Sequence, residues 1–140
     1  MPFAAEIPGT KLDLEVEVSH EGPYWFTLRF PYKIDDQSDF LRVRKLTGEH
    51  GLDANGNVVP SGVPLKIRLA VDGPGLSAGP YDKVSNTTLA AYGSGYVTKM
   101  IDSIYLRRGR YRVHVESLLR APEFDGANIE FTVGRDPKAA

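Results

Sequence analysis

The sequence predicts an all-β fold, a Greek-key antiparallel β-sandwich of about seven strands with one short helix. Three observations carry that expectation. Apolar and polar residues trade places at every step through several separate runs, which is the two-residue period of half-buried strands. Clusters of Gly, Pro, Asn and Asp separate those runs, as turns between strands require. Finally, a Leu-x-x-Gly-x-Tyr segment, Leu106 to Tyr111, leads into one of the alternating runs.

Composition bounds the rest. The chain has 140 residues, 17 Lys+Arg against 18 Asp+Glu, a formal net charge of -1, no cysteine and 41% hydrophobic residues. A single domain over 1–140, with 1–10 and 135–140 expected to be flexible, buries about 68–70% of its unfolded surface and needs neither disulfides nor a structural metal. The balanced charge argues against a nucleic-acid binder, which carries a basic excess. No apolar run approaches the ~18–20 residues that cross a bilayer, so the chain is expected to be soluble, not transmembrane, and monomeric. Met1-Pro2-Phe3-Ala4-Ala5 shows neither the basic nor the apolar region of an export signal.

In the first run, Leu12, Leu14, Val16 and Val18 alternate with Asp13, Glu15, Glu17 and Ser19, giving one apolar and one acidic face. After His20-Glu21-Gly22-Pro23, the residues Tyr24, Phe26, Leu28 and Phe30 take the core side, with Trp25, Thr27 and Arg29 opposite. The short connection reads as a hairpin. Asp35 to Gly48 predicts the helix: Asp35, Asp36 and Asp39 crowd its start, Arg42, Arg44 and Lys45 its end, and Gly48 stands at the C-terminal cap. That order complements the helix dipole at both ends. Its broad apolar stripe leaves an irregular strand as the alternative.

Asp53-Ala54-Asn55-Gly56-Asn57 invites comparison with a calcium loop, which needs glycine sixth and glutamate twelfth. Here glycine is fourth and Pro64 is twelfth, so an Asn-Gly turn between strands is the better reading. Leu65, Ile67, Leu69 and Val71 face inward in the next strand, and Asp72 to Gly79 is loop. Tyr81 to Gly95 lacks clear periodicity and reads as a wandering connection across the sandwich; Asn86-Thr87-Thr88 within it matches the glycosylation acceptor pattern.

Ile101, Ile104 and Leu106 belong to a core strand, and Tyr111, Val113 and Val115 then alternate with Arg112, His114 and Glu116. Between them lies the pattern of a tyrosine corner, where the phenol turns back to bond an upstream backbone group. Ile129, Phe131 and Val133 close the domain as an antiparallel partner strand. The corner makes the predicted sandwich immunoglobulin-like.

The segments Arg42-Val43-Arg44-Lys45-Leu46-Thr47-Gly48, Gly62 to Leu69, and Arg110 to Leu118 with Pro122-Glu123 resemble an uncharacterised family of Gram-negative envelope proteins, often lipoproteins, with an immunoglobulin-like sandwich. The resemblance implies export, to a periplasmic, outer-membrane-anchored or secreted location, and supplies no active-site residues. This chain lacks a lipid-acceptor cysteine.

Catalytic chemistry finds little support. There is no Gly-x-Ser-x-Gly elbow, and His20, His50 and His114 are scattered without metal-ligand spacing. Acid pairs such as Glu15 with Glu17, or Asp35 with Asp36, are expected to be solvated faces rather than a glycosidase pair. Asp72-Gly73-Pro74-Gly75 lacks the Gly-Lys-Ser/Thr of a phosphate loop. The expectation is therefore a non-enzymatic binding or interaction module without a cofactor, its partner a protein or a glycan of the envelope. Candidate contacts are the aromatics Trp25, Tyr92 and Tyr96, which suit a sugar or a protein, and the cations Arg110 and Arg112, which suit a polyanion. Packing beneath a helix competes for Trp25, and pairing with Asp13, Glu15 and Glu17 competes for the arginines.

Overall fold

Eight strands form two four-stranded antiparallel sheets, and a short two-stranded hairpin stands beside them. The computed structural model describes residues 1–137 other than 49, 50, 53, 57, 60, 61, 77, 78 and 94, with backbone alone at 51, 52, 58, 59, 89 and 92. In chain order the elements are β1 (Lys11–Val18), β2 (Gly22–Pro31), α1 (Gln37–Thr47), β3 (Gly51–Leu52), β4 (Val58–Val59), β5 (Lys66–Asp72), β6 (Tyr81–Asn86), β7 (Thr88–Gly93), β8 (Tyr96–Leu106), β9 (Gly109–Ser117) and β10 (Glu130–Arg135), with a 3-10 turn at Pro122–Phe124. Sheet I runs β1-β9-β5-β6 and sheet II runs β10-β2-β8-β7.

The alternation read from the sequence sets which side of each strand is buried. Phe26, Leu28 and Phe30 of β2 meet Ile67, Leu69 and Val71 of β5 and Val113 and Val115 of β9 in one core. Burial of such side chains is the main stabilising term of the fold. Within residues 1–10, expected to be flexible, some side chains and backbone groups contact the domain. Phe3 and Ala5 are buried, the Phe3 amide donates to the Ile129 carbonyl, and Pro2 bridges Glu130.

The hairpin expected between β1 and β2 does not form. β1 pairs with β9 in sheet I, whereas β2 pairs with β8 and β10 in sheet II, so residues 18–22 arch from one sheet to the other. The Tyr24 hydroxyl donates to the His20 carbonyl at 2.7 Å. Tyr111 makes the same bond to the Arg107 carbonyl, also at 2.7 Å, as its corner pattern predicts. Each tyrosine follows a glycine by two positions, and each reaches back four residues. The two arches nest, because Val18 faces Gly109 and Gly22 faces Leu106. The loop after β5 packs against this end: a side chain at Gly73 would run into the Tyr111 ring, and one at Gly75 into its hydroxyl.

α1 forms where its charges and caps place it. The Asp36 carboxylate accepts from the Asp39 amide at 3.0 Å, and Gly48 caps the other end at φ 103 with its amide on the Arg44 carbonyl. Val43 and Thr47 are buried, and Phe40 packs edge-on against Tyr32. Leu52 pairs with Val58 in the β3–β4 hairpin. Its connection is longer than a two-residue turn, and of Asn55 and Gly56 only Gly56 has positive φ. Asp53 and Asn57, the other oxygen-bearing residues of the calcium comparison, lie outside the described residues, as does His50.

The Tyr81 to Gly95 region does cross the sandwich, as two strands rather than a loop. β6 pairs with β5 in sheet I, Thr87 makes the crossing, and β7 pairs with β8 in sheet II.

Candidate functional site

The outer face of sheet I carries a groove of about 520 Å³, within the roughly 300–1,000 Å³ of small-molecule sites. It follows from the strand register. Asp13 of β1, His114 of β9, Ala70 of β5 and Asp82 of β6 stand side by side across the sheet and make one wall. Two residues along each strand, Glu15, Arg112 and Asp72 make the other, continued by Pro80. The positions between them, Leu14, Val113, Val71 and Tyr81, turn their side chains toward the core, so their backbone is the floor. Two rungs of one strand face lie about 7 Å apart, wide enough for an extended ligand to lie across the strands. Ala70, with one methyl group between His114 and Asp82, opens the first wall.

The walls differ electrostatically. On the first, His114 Nδ1 donates to Asp13 at 2.7 Å, and its Nε2 lies 3.6 Å from Glu116. Arg68 grips Asp82 with two hydrogen bonds of 3.0 and 2.7 Å, which hold the Asp82 carboxyl below its ordinary range. On the second wall, Arg112 stands between Glu15 and Asp72 in register, yet among the described residues no carboxylate lies within ion-pair distance of it and no cation within that distance of Glu15 or Asp72. At the β6 end the Tyr81 hydroxyl bonds the Asp102 carboxylate of sheet II. Burial first, and this bond second, push the phenol upward. It remains a neutral donor that ties β6 to β8.

The residues expected to bind do not converge. Arg110 and Arg112 share the outer face of sheet I with the groove, but only Arg112 lines it; Arg110 lies 3.9 Å from Glu17. Trp25 and Tyr96 lie on the outer face of sheet II, the opposite side of the sandwich. Trp25 is half-buried, beside Ser103 and Gly134 on its neighbouring strands. The Tyr96 ring is covered by Arg29, whose guanidinium carbon sits 4.3 Å from the ring centroid. The side chain of Tyr92 lies outside the described residues. Asp13, Ala70, Asp72 and Asp82 were missed as a group. Alternation marks most of them as outward, but which strands stand together is set by register, and Asp82 falls in the segment with no legible period.

Among the described residues no three His, Asp or Glu side chains are placed to hold a metal ion, and no helix is long and apolar enough to cross a membrane.

Comparison with known proteins bears on family and fold. A family described as Domain of unknown function (DUF5625) matches residues 1–135. The chain belongs to that family. A crystal structure of the protein designated GEBA250068378 from Sulfurospirillum deleyianum is similar over 99% of this chain and 96% of that one, with a TM-score of 0.69 and 19% identity. At that identity the likeness concerns fold alone. No curated protein matches the chain.

Proposed function

We propose that this DUF5625 domain is a non-catalytic binding module of the bacterial envelope, with its ligand site in the groove across sheet I. The observation that carries the reading is the groove itself: built across four strands and lined by Arg112, Glu15 and Asp72, none of which is ion-paired among the described residues. Sites on strands hold their geometry better than sites on loops. The envelope location rests on the resemblance of the Arg42–Gly48, Gly62–Leu69 and Arg110–Leu118 segments to exported proteins. A polyanion partner on the arginine stripe is disfavoured by charge, since Glu17, Glu15 and Asp72 flank it. A sugar on sheet II is the second reading, favoured by the 57% exposure of Tyr105 on the same outer face as Trp25.

A ligand screen read by thermal shift decides between the two faces. Ala70→Trp fills the groove from an outward position and is expected to abolish the response, while Trp25→Ala leaves it intact. The reverse pattern would move the site to sheet II, and turnover of any library compound would refute the non-catalytic reading.

A further inference from the structure

We propose that the groove takes a short zwitterionic peptide, with its carboxylate on Arg112 and its amines on Asp72 and Glu15; this rests on the groove being the binding site. On the first wall the carboxylates already have partners: Asp13 is hydrogen-bonded by His114 and Asp82 is paired with Arg68. A ligand bound there has to compete with those partners. The second wall reads acid, arginine, acid across β1, β9 and β5, and its three charged groups are exposed and, among the described residues, without an ion-pair partner. A ligand therefore meets them without first breaking an internal ion pair.

The order of those charges selects the ligand. A polyanion would satisfy Arg112 but meet Glu15 and Asp72 on both sides, and like charges placed together are unfavourable. A simple polyamine would satisfy the acids and leave a guanidinium against an ammonium. A molecule with one carboxylate and two amines, such as a dipeptide with one basic side chain, carries a charge for each of the three. Neighbouring strands lie about 4.8 Å apart, so the ligand's opposite charges must be separated by roughly that distance. A dipeptide with free termini spans it, because successive Cα atoms are about 3.8 Å apart. The open place beside Ala70 and the pyrrolidine of Pro80 leave room for side chains.

Titration calorimetry with lysyl-alanine tests this on the full chain. Saturable binding is expected. It should weaken at least about tenfold on C-terminal amidation of the probe or in Arg112→Ala, as loss of a charged hydrogen bond implies, weaken in Asp72→Asn, and vanish in Ala70→Trp. Failure of lysyl-alanine to bind, or unchanged binding in Arg112→Ala, overturns the ligand assignment. If a neutral or acidic oligosaccharide binds instead and Ala70→Trp blocks it, the groove stands and the peptide falls. If lysyl-alanine binds and Ala70→Trp does not affect it, both fall.

Discussion

Lys99 points into the sandwich. It faces Leu28 of β2 and residue 89 of β7 on the core side of sheet II, with 3% of its surface exposed, and no carboxylate among the described residues lies within ion-pair distance. Loss of water around the ammonium lowers its pKa from 10.5 to about 8. At about 1.4 kcal/mol per pH unit, that gap means the charged amine costs the fold up to about 3 kcal/mol, less whatever solvent reaches it. The unfolded chain keeps the proton up to about 10.5, while the folded chain releases it above about 8. Stability therefore rises with pH across that window, and below it, where both states are protonated, the full cost is felt. Lys99→Met keeps an unbranched chain and removes the charge. Urea unfolding followed by Trp25 fluorescence should show the variant more stable than the parent by up to about 3 kcal/mol at pH 7, the advantage shrinking above pH 8 and gone near 10.5. An advantage independent of pH, or none at pH 7, would refute the reasoning.

The arches make parallel predictions. Tyr111→Phe and Tyr24→Phe each strand a carbonyl that the phenol had bonded, and each should lower unfolding free energy by about 1–2 kcal/mol in urea, with Tyr111, fully buried, the costlier. Gly75→Ala should destabilise through a Cβ driven against the Tyr111 hydroxyl and Arg107; differential scanning calorimetry should show a melting temperature lowered by several degrees, for a loss of about 1–3 kcal/mol from overpacking. Asp36→Ala removes the N-cap of α1, with an expected loss of about 1 kcal/mol by the same urea assay. By contrast Asp82→Asn breaks an exposed pair with Arg68 and should change stability by no more than about 1 kcal/mol.

Local signals were legible in the sequence and pairing was not. The in-out order of β1, β5 and β9 and the caps of α1 follow from side chains within one element. The Tyr111 corner was legible because Leu106, Gly109 and Tyr111 stand in a known pattern. Gly22 and Tyr24 obey the same logic, but His20-Glu21-Gly22-Pro23 looks identical to a hairpin turn until one knows that β1 pairs with β9. β6 hid because an edge strand presents Asp82, Lys83 and Val84 to solvent, which erases the period. β8 was legible only toward its end, at Ile101, Ile104 and Leu106, because a bulge opposite Phe26 and Thr27 and Lys99, a charge on the core side, break its period earlier. The groove failed to appear for the first of these reasons: Glu15, Arg112 and Asp72 are far apart in the chain and meet only through register.

The amide spectrum of labelled protein, titrated with lysyl-alanine, locates the binding face residue by residue. Shifts should gather at 13–15, 70–72, 80–82 and 112–114, the four stretches that cross in the groove. Shifts centred on Trp25, Ser103 and Tyr105 would place recognition on sheet II and contradict the assignment of function to sheet I.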